Sequence, residues 1–235
     1  MKKKLFPALI IILLTGALFF LILFKGKSAG ESDYNAYLIS DTTSITLRKG
    51  DILARPNWDG MPGSWAIRNG RRYGHAALVT AGATGRTVEE ALSKASVVEA
   101  VFFDQGTREF QFDKADQIKE RKAIISFGRR FNGIRYRLRM DLTDQQIERM
   151  IKFAREQADG GYNILSLKRR FATAAERESA LDNLKNRNWH CATIIWEAFY
   201  LSSDTDIDEN GGMFIYPSDI IARRHFDLPG GRICF

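Results

Sequence analysis

The longest uncharged apolar run lies at the start of the chain. Residues 5–24 read LFPALIIILLTGALFFLILF. Twenty helical residues at about 1.5 Å each would cross a ~30 Å hydrocarbon core. The apolar part of a cleaved signal peptide is shorter, so an uncleaved transmembrane signal anchor is expected within residues 1–27. Ser28-Ala29-Gly30 offers a small-residue cleavage site as the alternative. Lys2, Lys3 and Lys4 with the terminal amine outnumber Lys25 and Lys27. That asymmetry predicts a cytoplasmic N-terminus and a domain facing the periplasm or the exterior. Residues 28–46 are small and polar and read as a tether. From residue 47 to 235 the pattern is that of one folded domain.

Within that domain short apolar runs come first. Residues 51–54 follow Gly50 and read as a strand. Residues 58–63 hold proline and two glycines and read as a loop. Residues 75–80 (HAALVT), 97–103 (VVEAVFF) and 122–127 (KAIISF) each predict a buried strand. The period then changes. Thr143 and Gln146 form a capping box, followed by Ile147, Met150, Ile151 and Ala154 on one helical face, ending near Gly160-Gly161. Residues 168–188 are polar and read as a covering helical segment. Asn188 is placed to cap a helix burying Ile194, Ile195, Ala198 and Phe199. Pro217-Ser218 opens a short helix, and residues 232–235 read as a last strand. Strands first and helices flanking them predict an α+β class.

Composition narrows the functional classes. The 235 residues carry a net charge of +7, with 45% hydrophobic and 27% charged residues. Five of those charges fall in the first 30 residues, leaving +2 for the rest. A nucleic-acid footprint needs clustered charge on the folded domain, so no nucleic-acid partner is expected. Arg129-Arg130, Arg135, Arg137 and Arg139 read as a solvated basic face. Three histidines and two cysteines make neither a C-x-x-C pair nor an H-E-x-x-H helix, so no metal or cofactor is expected. Asp206, Asp208, Asn210 and Gly211 open like a calcium loop, but Pro217 stands where the closing glutamate belongs.

Three residues carry candidate chemistry. Cys191 falls at a helix start, where the helix dipole lowers a thiol pKa and backbone N–H groups can hold an oxyanion. His75 opens a buried strand. Glu99 lies inside an apolar run and needs a cationic partner, because an unpaired buried charge is costly. A thiol, an imidazole and an orienting carboxylate are the parts of nucleophilic catalysis. His190 adjoins Cys191, but neighbours in a helical turn point about 100° apart, which favours His75 as the base. A Cys191–Cys234 disulfide would compete with the nucleophile.

The strings Gly50-Asp51-Ile52-Leu53, Ser64-Trp65-Ala66-Ile67, Tyr73-Gly74-His75-Ala76-Ala77-Leu78-Val79 and Val97-Val98-Glu99-Ala100 resemble the first half of the YiiX/YaeF-like permuted papain-like hydrolases. Gly161-Tyr162-Asn163, the stretch from His190-Cys191-Ala192 to Phe199, and Tyr216-Pro217-Ser218-Asp219-Ile220 resemble the second half. The resemblance covers residues 48–222. It implies a circularly permuted NlpC-type domain in which the base precedes the nucleophile: Cys191 as nucleophile, His75 as base, Glu99 as orienter and Tyr162 lining the site. Ala192 and His190 stand where serine and tyrosine are frequent. The expected activity is that of a membrane-anchored cysteine amidase or peptidase acting on cell-wall peptides. Alternatives are a hydrolase or acyltransferase of acyl lipids or lipoproteins, and a silent wall- or membrane-binding module.

Overall fold

The computed structural model describes residues 12–16, 36–56, 65–67, 71–129, 133–185, 187–208 and 211–235. Strands predominate in its first part and helices in its second. They run β1 (Tyr37–Leu38), β2 (Ile45–Leu47), β3 (Ile52–Pro56), β4 (Trp65–Ile67), β5 (Arg71–Ala81), β6 (Ala83–Gly85), α1 (Val88–Lys94), β7 (Ser96–Ala100), β8 (Phe103–Asp104), β9 (Glu109–Phe110) and β10 (Ile118–Lys122). Then come α2 (Ile124–Phe127), β11 (Tyr136–Leu138), α3 (Asp144–Arg155), α4 (Ala174–Asn183), α5 (Cys191–Ser203), α6 (Pro217–Ala222) and β12 (Arg232–Cys234).

The main sheet has the order β1-β12-β11-β3-β5-β7-β10, with β4 also on β5. Its pairs are antiparallel except β1 with β12, which is parallel. The α+β expectation is therefore corrected to a mixed α/β arrangement around a large mixed sheet. The parallel pair arises because Tyr37 and Leu38 lie beside Ile233 and Cys234. Two strands, β1 and β2, thus fall within the stretch expected as a tether.

The transmembrane helix expected at the N-terminus is also corrected. Of residues 5–24, only 12–16 are described, and they are helical. Among the described residues no helix is long and apolar enough to cross a membrane. The rest of that run, and the loop expected at 58–63, lie outside the described residues.

The apolar run in β5 is buried on both faces. Ala76 and Leu78 enter one core with Ile194, Ile195 and Trp196 of α5 and Met150, Ile151 and Phe153 of α3. Ala77 and Val79 enter a second core with Val88, Ala91 and Leu92 of α1 and Phe127 of α2. Strand periodicity thus delivers alternate residues of one strand to two cores. Helix α5 is apolar on almost every side and correspondingly buried. Residues 122–127, expected as a strand, instead hold the end of β10 and the helix α2.

Candidate active site

Cys191 is the first residue of α5, and His190 caps it with extended backbone (φ −82°, ψ 151°). The thiol is buried against the start of β5. Its sulfur lies 3.9 Å from the Gly74 carbonyl and 3.7 Å from His190 Nε2. Burial is the largest influence on the thiol and pushes its pKa up to about 11. The backbone N–H groups of Ala76 and Ala192 and the charge of Arg55 pull the other way. The helix start was expected to lower this pKa. Desolvation outweighs it, because the sulfur is cut off from water.

His75 and Glu99 form a closed pair. His75 Nε2 and Glu99 Oε2 are 2.5 Å apart, and both residues are buried. The His75 ring stacks on Phe127, with centroids 5.7 Å apart. Burial lowers the His75 pKa against the opposing pull of Glu99, with Arg55 and Arg121 lowering it further. Burial alone would raise the Glu99 pKa. His75, Arg121 and Ser126 together hold it down at about 2.

Glu99 is fixed by two residues that sequence reasoning missed. Ser126 Oγ donates to Glu99 Oε1 at 2.6 Å, and Arg121 Nε donates to the same oxygen. Arg121 also donates through Nη1 to Asp104 at 2.6 Å and through Nη2 to Ser126 at 3.0 Å. The available signal was Glu99 itself. A buried carboxylate requires cations, and the alternating charges of residues 118–122 are their source.

The structure therefore joins His75 to Glu99 and sets Cys191 beside the same strand. Among the described contacts, the imidazole at hydrogen-bonding range of the thiol is His190. The argument against His190 assumed that both residues lie within the helix. His190 precedes it, so its extended backbone turns the ring back toward the sulfur. Burial, then the nearby His75, lower the His190 pKa to about 4, against a hydrogen bond with the Ile215 backbone. Such an imidazole is neutral at pH 7 and a weak base.

Tyr162 borders the same cluster. Its ring stands edge-on to His190 at 5.9 Å and stacks on Phe102 at 5.9 Å. Its backbone N–H donates to Gln117 Oε1 at 2.6 Å. Burial raises the phenol pKa, so the hydroxyl keeps its proton.

The other sequence candidates have structural partners. Cys191 and Cys234 are not joined as a disulfide. Asp206 accepts from Trp196 and Arg170, and Asp208 pairs with the buried Lys168, so both carboxylates are held by partners within the chain. Asn210 lies outside the described residues. No group of three or more potential metal ligands occurs among the described residues. Asn188, expected as a helix cap, accepts instead from the Gly161 N–H at 3.1 Å.

Comparison with known proteins adds one partial similarity. Over 113 residues the chain is 32% identical to the "Uncharacterized protein YycO" of Bacillus subtilis (strain 168). The match covers 46% of this chain and 42% of that protein, so the chain spans less than half of the relative's length. No family model matches the chain. No solved structure matches it.

Proposed function

We propose that this protein is a cysteine hydrolase acting on amide or related acyl bonds. The observation that carries the proposal is the buried His75–Glu99 pair at 2.5 Å, with His75 on the strand that borders the Cys191 sulfur. A purely apolar core has no use for a buried carboxylate, and here Glu99, Arg121, Ser126 and Asp104 form a network around one imidazole. The resemblance of the motifs to the YiiX/YaeF-like hydrolases supports the same roles.

Glu99 occupies His75 Nε2, which leaves Nδ1 as the nitrogen for proton transfer. In the proposed sequence His75 takes the thiol proton and the sulfur attacks the substrate carbonyl carbon. The Cys191 backbone N–H, uncommitted at a helix start, donates to the resulting oxyanion. The imidazolium then gives its proton to the leaving amine, and a thioester remains. Water, deprotonated by His75, attacks the thioester and the thiol is restored. Cell-wall peptides are the substrate class that the resemblance favours.

One observation favours a second reading, a silent binding module. The resting thiol has a pKa pushed up to about 11 and borders the weakly basic His190. Treatment with p-nitrophenyl acetate followed by intact-mass analysis separates the two. The hydrolase should carry one acetyl group on Cys191 transiently, lost in Cys191→Ala. A binding module should show no modification faster than Cys234.

A further inference from the structure

Among the described arginines of the basic stretch, Arg137 is the exception. Arg129 and Arg135 pair with Asp41, and Arg135 also binds Glu89 and the Phe127 carbonyl. Arg139 holds both oxygens of Asp51 at 2.7 Å. Arg137 is only 2% exposed, and its Nε and Nη1 have no hydrogen-bond partner. The carboxylate whose charge acts on it, Asp51, is already committed to Arg139 and to the Arg48 backbone N–H. Burial, the dominant influence, lowers the Arg137 pKa to about 10, with Arg139 and Arg48 adding to it against Asp51. The side chain is therefore a cation at neutral pH, shielded from water and short of a counter-ion. Such a group is normally paired.

Arg137 lines a cleft of about 890 Å³, within the size range of small-molecule sites. The cleft forms where residues 48–51, 139–144 and 228–231 meet. Arg48 and Lys49 stand at its exposed rim beside Asp141, Asp144 and Glu148, with Lys49 paired to Glu148, and Leu142 and Ile147 supply apolar wall. It adjoins the start of β3 at Asp51. Arg55, near the other end of β3, is the residue that acts on Cys191 and His75. Four residues of strand put these ends about 13 Å apart, and none of the candidate catalytic residues lines the cleft.

We propose that this cleft is an oxyanion site, separate from the thiol, that takes the phosphate group of a small molecule on the Arg137 guanidinium, with Arg48 at the rim. The planar fork of an arginine suits phosphate or carboxylate oxygens in pairs. The apolar wall would cover the uncharged part of the ligand. The proposal does not depend on the hydrolase activity.

The test is a thermal-shift and calorimetric titration of the full chain with inorganic phosphate, acetate and chloride at matched ionic strength. Phosphate should raise Tm saturably, and chloride should not. Acetate binding equal to phosphate would place a carboxylate in the same oxyanion role. Arg137→Met should lose at least tenfold in oxyanion affinity while its Tm without ligand stays equal or rises, because a buried unpaired cation is gone. Leu142→Glu should also lose affinity through repulsion, and it decides the matter if Arg137→Met fails to fold. Equal shifts with chloride, no shift with any oxyanion, or wild-type affinity in either folded variant would overturn the proposal.

Discussion

At the scale of single residues, Glu99 is the keystone of the candidate site. It accepts from His75, Ser126 and Arg121, so its loss removes one of the two carboxylates that hold Arg121. Glu99→Ala should destabilise the protein by about 3–5 kcal/mol, the usual cost of breaking a buried pair. Urea denaturation would measure it. The acid limb of stability follows from the same residue. The folded pKa of about 2 lies below the ordinary 4.5, so the carboxylate's contribution is fully present above pH 4.5 and is lost as pH falls through 2. Glu99→Gln should flatten that limb. An unchanged acid midpoint would mean that the network contributes nothing. His190, with its pKa lowered to about 4 from 6.5, acts in the same direction: its contribution is present above pH 6.5 and fades as pH falls through 4.

The chemistry of these residues was partly legible in the chain. Glu99 in an apolar run demanded a cation, and Arg121 supplies it beside the His75 hydrogen bond. Cys191 at a helix start was legible too, but its pKa was not, because burial depends on what packs over the sulfur. The direction of the His190 ring was misread for a geometric reason: whether a residue is the cap or the first helical residue decides where its side chain points, and boundaries are the least readable feature of a sequence.

At the scale of elements, strong periodicity was readable. Thr143 and Gln146 form the expected capping box on α3, whose buried face includes Met150, Ile151 and Ala154. Thr143→Ala should cost ~1 kcal/mol, seen as a lower urea midpoint with an unchanged slope. No loss would mean that the cap is replaced by water. Strand β5 was readable from its continuous apolar run. Strand β10 was not, because IKERK is an edge strand in which Ile118 alone enters the apolar core while Lys119 and Arg121 serve Asp104 and Glu99. The α2 segment was misread because four apolar residues fit a strand or a helical turn equally well.

At the scale of the whole molecule, the contacts that close the fold are long-range and left no local trace. Asp41 reaches Arg135, 94 positions away, at 2.7 Å. That bond ties the segment before β2 to β11, and Arg135 is buried. Asp41→Ala should destabilise by about 1.5–3 kcal/mol, the range for hydrogen bonds to charged groups. Arg129→Ala, which removes an exposed partner of the same aspartate, should cost under about 1 kcal/mol. Equal losses in chemical denaturation would contradict this ranking. The same distance effect hid the parallel pairing of β1 with β12. Hydropathy at the N-terminus, by contrast, reported apolar length alone, and length does not by itself establish a spanning helix.

The central claim is that His75, oriented by Glu99, activates Cys191. The most direct test is the pH dependence of Cys191 acylation by p-nitrophenyl acetate in wild type, His75→Ala, Glu99→Gln and His190→Gln. General-base activation predicts a wild-type rate that levels off once His75 is neutral, below pH 6.5 because burial lowers its pKa. His75→Ala should fall by about 10²–10⁴-fold and then climb tenfold per pH unit toward 11, following the bare thiolate. A wild-type rate that itself climbs tenfold per pH unit from 7 to 11, unchanged in His75→Ala, would contradict the claim. So would a loss confined to His190→Gln.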